Sequence, residues 1–554
     1  MATTERFGAP LRRVKPLAWL IAMIWASVAQ AQQPAVQQEP VQPAQTEPLQ
    51  RPPRTTVWAV PFDAEQAGVP RAWRLDAGVS ATLTATSNSG YTDRQQSRSD
   101  RILNLEPRLS FARRGGRVRL AGDLSASALH YFDDTQPDRV LPRASLNLES
   151  MLVDRWVYLD ASAEVDQTAS DPYASRPDGR SAFNQITTRR FLVSPRIDHW
   201  FTPSLSLLAR SDFAWTRRNG DYAADDPRRD SREQQHFVRL EQQPLPLGGS
   251  LEYVHQDTRY DGDVDSVLTL DTLRAVVSYA ITPQLSVGIV GGREHSEFSL
   301  SEHTDSLYGV RLRWQPTERT LLTGAVEDRF FGTGWDLQFT HRMPFLAVHF
   351  RSFREPTAQP SSQILEPGGG SVRNLLDAIL TTRYPDPVAR EELVRRIIRD
   401  LNLPETLRGP IEVFADYAQL LRGNHLSVAL LGRRTTVAVN LYQRRYWQLT
   451  REDDVLAPDP SFASDHEQVG AALDVTRRLT PQTSLGLLLQ YSRIEGLGSR
   501  EDDFSRERIV RVTLQHQLSP DTAVTLGARR QLLRSNVSSS AREAAAFVGV
   551  SHSF

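Results

Sequence analysis

Apolar and polar residues alternate along most of this chain, from about residue 74 to residue 554. In one run Val118 and Leu120 alternate with charged or small polar residues, and similar runs contain Tyr308 and Val510. Because successive side chains of a strand point to opposite faces, this pattern predicts strands with one apolar and one wet face. We count about 22 candidate strands of roughly 9–14 residues, the length with which a tilted strand crosses a membrane.

Proline-containing turns separate many of these runs. Proline fixes its own φ and cannot donate to a strand ladder, so it belongs in the turn. The five turns are Thr202-Pro203-Ser204, Thr282-Pro283-Gln284, Gln315-Pro316-Thr317, Thr480-Pro481-Gln482 and Ser519-Pro520-Asp521. Aromatic residues precede several of them, namely Trp200, Phe201, Tyr279 and Trp314. At one height beside repeated turns, such rings are typical of an interfacial girdle.

Longer polar segments lie between the tight turns, so short and long connections alternate. The longer ones fall near residues 91–100, 169–181, 219–233, 261–265, 454–465 and 496–503. Backbone amides in hydrocarbon must be paired internally, so a β-protein spans a membrane only as a closed barrel. The sequence therefore predicts an all-β fold, a transmembrane antiparallel β-barrel of about 22 strands (roughly 16–22) with a small helical insertion. A mean hydropathy of -0.42 agrees with strands that are wet on one face.

The final segment places Val548, Val550 and the terminal Phe554 on one face of a strand. A C-terminal aromatic that ends an alternating strand resembles the assembly signal of bacterial outer-membrane barrels, which implies that the barrel assembly machinery is a partner. His552 departs from that signal, because an apolar or aromatic residue is usual at this position.

Four segments divide the chain. Residues 1–31 read as a signal peptide, because Arg12, Arg13 and Lys15 precede a short apolar run that ends in Ala29-Gln30-Ala31. Residues 32–72, rich in Pro and Gln, are expected to form a periplasmic tail. The barrel is expected over 73–554 and is interrupted by an insertion over 356–422.

Helical spacing replaces the strand pattern within the insertion. Ser371 is placed to cap a first helix, and Asp386-Pro387 is placed to begin a second one that ends before Pro404. A third, shorter helix is suggested by one further set of residues, Ile411, Phe414, Ala418 and Leu421. The insertion starts from the external rim and either folds back into the lumen as a plug or caps the rim. The sequence leaves both possibilities open.

Five short segments carry a resemblance to a known family. They are Asp328-Arg329-Phe330-Phe331-Gly332, Leu375-Leu376-Asp377-Ala378-Ile379, Tyr384-Pro385-Asp386-Pro387 with Ala389-Arg390, Leu403-Pro404, and Val428-Ala429-Leu430-Leu431-Gly432. The chain resembles the outer-membrane β-barrel proteins associated with the PEP-CTERM system, over most of the part after the signal peptide and most clearly from about Thr320 to Arg445. The resemblance implies a place in exopolysaccharide biosynthesis and export, and it supplies no catalytic residue.

Charged residues on the wet faces of the strands are the candidate pore-lining residues. They are Arg119, Asp123, Arg239, Glu241, Arg311, Arg313, Arg511 and Arg529. Arginines outnumber acids in this set, so they could guide an anionic polymer by rings of positive charge. Alternatively, mixed charges merely solvate a water-filled lumen. The assignment to the lumen depends on strand register, because a slip of one residue would invert it.

Several kinds of chemistry have no support in the sequence. The chain has no cysteine, its 12 histidines occur singly, and its formal net charge is -1. Disulfides, thiol nucleophiles, Cys-ligated metals, His-x-His or His-Glu-x-x-His metal sites and nucleic-acid binding are therefore not expected. No cofactor and no enzymatic activity are expected. A receptor driven by an energy-coupling protein would need a globular domain before the barrel, so that class is not expected either.

These observations predict a barrel in the outer membrane of a Gram-negative bacterium that is associated with exopolysaccharide secretion. Its expected role is a porin-like channel with an arginine-rich lumen for an anionic polymer or small solutes, with the insertion as a gate. Two alternatives stay open: a non-transporting structural barrel that anchors an envelope export complex, and an outer-membrane hydrolase. The expected partners are outer-membrane lipid, polysaccharide and periplasmic export proteins.

Overall fold

The computed structural model describes residues 73–169, 173–174, 186–219, 230–260, 267–298, 301–357, 371–381, 383–401, 403, 407–411, 418–449 and 465–554. The predicted signal peptide and the Pro/Gln-rich tail lie outside the described residues. These described residues form 22 strands in one sheet. Each strand pairs antiparallel with the next along the chain, and β22 pairs with β1, so the sheet is closed. This confirms the predicted barrel and its strand number.

The strands run from 10 residues in β13 to 17 residues in β12, longer at the upper end than expected. Their bounds are β1 Trp73–Thr86, β2 Asp100–Arg114, β3 Val118–Tyr131, β4 Arg139–Val153, β5 Val157–Thr168, β6 Ile186–Trp200, β7 Leu205–Asn219, β8 Ser231–Gln242, β9 Leu247–Tyr260, β10 Val267–Thr282, β11 Leu285–Phe298, β12 Ser301–Thr317, β13 Thr320–Arg329, β14 Gly332–Met343, β15 Leu346–Thr357, β16 Gln419–Leu431, β17 Thr435–Gln448, β18 His466–Arg478, β19 Thr483–Gly496, β20 Phe504–Ser519, β21 Thr522–Ser535 and β22 Ala541–Ser553.

Connections differ between the two ends of the barrel. Every connection from an even strand to the next odd strand is short, such as residues 283–284 and 520–521. Four of the five predicted proline turns overlap these connections, whereas Gln315-Pro316-Thr317 forms the end of β12, where the register shifts just before the turn at residues 318–319. The long connections, including residues 87–99 and 358–418, all join an odd strand to the next even one. Both ends of the sheet, Trp73 and Ser553, lie at the short-turn end. In outer-membrane barrels the short turns are periplasmic and the long loops are external.

The two faces of the sheet differ as the alternation predicts. On one face apolar side chains are exposed, as at Ile289 (66%), Val310 (57%) and Val550 (47%). The opposite face carries the buried charged residues, as described below. In a closed barrel the exposed apolar face is the outward one, and it forms a belt that faces lipid. Near the short-turn end, Tyr279 and Trp314 are exposed at the lower edge of this belt, in agreement with the predicted girdle.

The last strand closes the barrel on the first one. The pairing with β1 runs from Gly78 opposite Ser553 to Thr86 opposite Ala545. Val548 and Phe554 are exposed on the outward face. His552 shares this face, where its Nδ1 lies 2.9 Å from the Thr522 Oγ1 and its ring contacts Phe554 edge-on. The hydrogen bond to β21 is a local reason why a histidine is accommodated here.

Two helices form within the connection between β15 and β16: α1, Val372–Leu380, and α2, Pro387–Leu401. Both helix starts agree with the sequence, since the Ser371 side chain accepts from the Asn374 amide and α2 begins at Pro387. The prediction of a third helix is wrong at its C-terminal end, because Leu421 belongs to β16, where it pairs with Glu355 and is buried. Phe414 lies outside the described residues. Among the described helices, none is long and apolar enough to cross a membrane.

Aromatic rings on the sheet pack over glycines of the neighbouring strand. Tyr442 of β17 is the register partner of Gly470 of β18, and a Cβ at Gly470 would lie 2.3 Å from the ring. We expect Gly470→Val to lower the free energy of unfolding by about 1–3 kcal/mol, because the ring must move. Urea titration of the protein in lipid vesicles measures this change. Gly291→Val is the control, since a Cβ there meets nothing within 4 Å; equal losses for both variants would contradict the packing argument.

A plugged lumen as candidate functional site

The register places all eight predicted pore-lining residues on the inward face of the sheet. On β12, Arg311 and Arg313 alternate with the exposed, outward Val310, and on β21 the buried Arg529 alternates with the exposed Arg530. Arg511 is the register partner of Arg529. The other four, Arg119, Asp123, Arg239 and Glu241, lie on β3 and β8 at positions of the same parity as buried residues of those strands.

One ion-pair network crosses five strands of the inner wall. Glu252 of β9 accepts from Arg311 of β12 through two hydrogen bonds of 2.6 and 2.9 Å, and the Arg239 guanidinium of β8 lies 3.0 Å away. Glu327 of β13 accepts from the Arg274 Nε at 3.1 Å and from Arg311 at 3.4 Å. All five side chains are buried. Two of these pairs, Glu252 with Arg311 and Arg274 with Glu327, join non-adjacent strands and therefore brace the wall sideways in addition to the backbone ladder.

The other predicted residues also have partners on the wall. The Arg529 guanidinium binds Glu543 through bonds of 2.9 and 2.6 Å and donates to the Tyr91 hydroxyl at 2.8 Å. Arg119 pairs with Glu149 at 3.5 Å, and Asp123 accepts from the Ser110 hydroxyl at 2.6 Å. Arg313 donates to Gln315 at 3.1 Å, while Glu241 lies 4.0 Å from Arg239.

Carboxylates match the arginines on the described inner wall. The inward positions of the 22 strands carry acidic and arginine side chains in nearly equal numbers. Most of these arginines lie close to an acidic side chain. Neutralised pairs produce little net potential along the lumen. The excess of arginine in the predicted set therefore does not extend to the wall as a whole, and the arrangement matches the alternative of mixed charges on a wet surface.

The two helices of the insertion pack against the inward face near the short-turn end. Leu376 and Ile379 of α1 share one apolar cluster with Ala347, Ala429 and Ala438 of the wall. These alanines lie close to the short-turn ends of β15, β16 and β17. The insertion leaves the sheet at the opposite, long-loop end. The described helices therefore lie against the inner wall at the end opposite to the loop that carries them, which is the plug arrangement and not the rim cap.

The tip of the helical hairpin reaches the periplasmic end of the barrel. Arg383, between the helices, places its guanidinium carbon 5.3 Å from the centre of the Phe345 ring, and Phe345 lies in the short turn between β14 and β15. Arg390 of α2 holds the hairpin together: its Nε donates to Asp377 of α1 at 2.6 Å, and its Nη1 donates to the Tyr384 carbonyl at 2.9 Å. The hairpin is thus a braced unit that lies at one mouth of the barrel.

The chain returns toward the external rim along the wall. Asn440 Nδ2 donates to the Arg408 carbonyl at 3.0 Å, and Arg408 donates to Gln490 at 3.2 Å. Nearer the long-loop end, the side-chain amide of Gln468 accepts from the Ile411 backbone N–H at 2.8 Å and donates to the Ile411 carbonyl at 2.9 Å. These polar contacts attach the segment to β17, β18 and β19.

Sequence reasoning missed Glu252, Glu327 and Arg274 of the network and the amides Asn440 and Gln468. Each of them occupies an inward position that the alternation does predict. Their partners, however, are several strands away or on the insertion, and only the tertiary register brings them together. Among the described residues, no group of three or more His, Cys, Asp or Glu side chains is arranged to hold a metal ion.

A closed 22-stranded barrel with an apolar outward belt and a polar inner wall is an outer-membrane β-barrel. The chain belongs to this class, and its place is the outer membrane of a Gram-negative bacterium. The described part of the chain adds a helical plug that enters from the external side.

No protein-family model matches the chain, and no curated protein sequence matches it. Solved structures do show similarity in fold. The FrpB iron transporter from Neisseria meningitidis is 9% identical with a TM-score of 0.48, over 89% of this chain and 84% of that one. The siderophore receptor PiuA from Acinetobacter baumannii is 9% identical with a TM-score of 0.45, over 86% and 82% of the two chains. The siderophore receptor PirA from Pseudomonas aeruginosa is 10% identical with a TM-score of 0.39, over 86% and 80%.

Proposed function

We propose that this protein is a gated outer-membrane channel for a secreted polysaccharide or small hydrophilic solutes, with the α1–α2 hairpin as its gate. The observation that carries the proposal is the position of the hairpin inside the lumen at the periplasmic mouth, against Ala347, Ala429 and Ala438. A lumen of 22 strands is wide enough to conduct unless something fills it. The hairpin supplies that closure from within the same chain.

Two features support movement of the hairpin as a unit. The pair of Arg390 and Asp377 braces α1 against α2, so the hairpin keeps its shape when it leaves the wall. The wall side of the contact consists of Ala347, Ala429 and Ala438 with the partly buried Leu431, and the single methyl groups of the alanines present a shallow surface without deep interlocking. Departure of the hairpin therefore requires little rearrangement of the wall itself.

The cargo class follows from the wall and from the resemblance. The accessible pairs of the inner surface, such as Arg74 with Asp76 and Arg143 with Asp166, offer donors and acceptors for hydroxyl groups without strong preference for either charge. This suits passage of a hydrated sugar chain. The resemblance to barrels of exopolysaccharide export supports polysaccharide as the cargo. Because the wall is nearly balanced in charge, we propose weak ion selectivity in place of the strong anion selectivity that the predicted residues suggested.

A reversible tether tests the gate. The chain has no cysteine, so Arg383→Cys with Phe345→Cys introduces two thiols, at the hairpin tip and in the periplasmic turn, which a bifunctional methanethiosulfonate reagent joins through two reducible disulfides. In planar bilayers we expect wild-type protein to open intermittently under applied voltage, the cross-linked variant to stay closed, and reduction of the cross-link to restore openings. Arg383→Cys with Phe201→Cys is the control, because Phe201 lies in the turn after β6. Openings that persist in the bridged protein would contradict the gate.

The cargo is tested with two probes on protein that lacks Gly370 to Leu403. Dextran and polygalacturonate oligosaccharides of matched length are added from the short-turn side, and current block is measured. We expect both probes to block, with affinities within about tenfold of each other, since a balanced wall discriminates little by charge. Absence of block by both probes would overturn polysaccharide as cargo. Silence of every folded variant would overturn the channel and favour a structural barrel.

A further inference from the structure

Six arginines face outward at the long-loop end of β19 to β22 and form what we call the arginine patch. Its members are Arg493, Arg506, Arg508, Arg530, Arg534 and Arg542. We propose that the arginine patch binds the phosphate groups of a phosphorylated glycolipid in the outer leaflet. The site is separate from the lumen, and the proposal does not depend on the channel function.

Strand register gathers the arginine patch on one surface. Arg506 is the partner of Arg493 on one side and of Arg534 on the other, so three guanidinium groups form a row across three strands. Two residues closer to the short-turn end, Arg508 and Arg542 lie on either side of Leu532, which is the register partner of both. The outward direction follows from the alternating inward residues of the same strands, such as Glu507, Ile509, Gln531 and Glu543, which are buried.

The height of the arginine patch matches a lipid headgroup. Directly below Arg508, the outward residues of β20 are Val510 and Val512, exposed by 44% and 42%. Below Arg530 and Arg542, Leu526 and Val548 are exposed in the same way. The apolar belt therefore ends where the arginines begin. A lipid whose acyl chains lie along the belt would place its headgroup phosphates at the patch.

Charge distinguishes the arginine patch from other outward arginines. Within the arginine patch, the acidic side chain of Glu495 contacts Arg493 and lies 3.7 Å from Arg506. Its single negative charge is set against six arginines. On β7 and β9, by contrast, Arg217 and Arg259 each lie 3.2 Å from an aspartate, Asp230 and Asp257 respectively. The patch therefore keeps a large positive excess on an exposed surface.

The chemistry of the arginine patch selects phosphate. Guanidinium groups bind phosphate oxygens through paired N–H donors and are always charged. Two of them are held over aromatic rings, Arg506 over Phe504 at 5.1 Å and Arg508 over Tyr491 at 6.0 Å, which limits their rotamers. Continuity with the apolar belt favours a lipid over a soluble acidic protein, because only a lipid uses both surfaces together.

The test uses full-length protein in mild detergent and native mass spectrometry. Bisphosphorylated lipid A is the probe, and the dephosphorylated lipid is the comparison. For Arg506→Gln with Arg508→Gln and Arg534→Gln, we expect binding of the bisphosphorylated lipid to weaken about a hundredfold. The matched control removes the same charge at the opposite end, with Arg433→Gln, Arg434→Gln and Arg477→Gln, and is expected to bind like wild type.

Each outcome decides the proposal. Heat-modifiable gel mobility first shows that every variant is a folded barrel. Loss confined to the patch variant, together with weak binding of the dephosphorylated lipid by wild type, supports the phosphate site. Equal loss in both triple variants, equal binding of the two lipids by wild type, or unchanged binding by the patch variant would each overturn it.

Discussion

Removal of the helical hairpin from Gly370 to Leu403 is expected to turn the closed barrel into a steadily conducting pore. The hairpin lies at the periplasmic mouth, and its apolar face covers the wall alanines. Without it, conductance in planar bilayers should rise on the order of tenfold or more, as expected for an unplugged lumen of this strand number. The reversal potential in a salt gradient should lie near zero, because the inner wall is nearly balanced in charge.

Two further measurements make the deletion decisive. Asn374→Ala alters an exposed side chain of α1 without touching the wall and should leave the pore closed. Gel mobility with and without heating shows whether the shortened protein is still a barrel. A folded deletion variant that conducts no better than wild type would exclude the hairpin as the element that closes the lumen.

Loss of one carboxylate from the wall network is expected to have the largest effect on stability. Glu252→Gln removes the nearest carboxylate of the buried Arg239 and Arg311 and leaves them only the longer contacts, Arg239 with Glu241 at 4.0 Å and Arg311 with Glu327 at 3.4 Å. Breaking a buried pair in this way costs about 3–5 kcal/mol in the free energy of unfolding. Urea titration in lipid vesicles, followed by tryptophan fluorescence, measures the loss.

The neighbouring Glu241 provides the matched control. Its carboxylate lies 4.0 Å from Arg239 and its side chain is 24% exposed, so Glu241→Gln should cost less than about 1 kcal/mol. Combining Glu252→Gln with Arg311→Met should recover part of the loss, because the second change removes one of the two buried arginines that lost the Glu252 carboxylate. If Glu252→Gln and Glu241→Gln were equally mild, the network would contribute little to stability.

Local patterns were sufficient to predict the barrel. The period of two defines each strand, and proline turns such as Thr282-Pro283-Gln284 mark their ends without reference to distant residues. The same alternation placed Arg311 and Arg529 on the inward face. Both predicted helix starts depend on neighbouring residues, as with Ser371 and the Asn374 amide, and both agree with the structure.

The remaining errors come from interactions between distant parts of the chain. Leu421 has helical spacing from Ile411, yet pairing of β16 with β15 and β17 recruits it into the sheet. The predicted excess of arginine in the lumen does not hold for the whole wall, because Glu252 and Glu327 add negative charge from β9 and β13, which the predicted set of pore-lining residues did not include. The direction of the insertion depends on alanines of three strands, and a small side chain carries no sequence signal for a helix contact.

Closure of the sheet between β1 and β22 constrains how the protein is made. The Thr86 hydroxyl donates to Glu543, 457 residues later in the chain. Contacts of such sequence separation form late, because the entropy of joining distant segments must be overcome first. The first strand therefore has an open edge until the last one arrives, and an open edge invites pairing with other chains. The nascent protein depends on being shielded across the periplasm until its final residues have been exported.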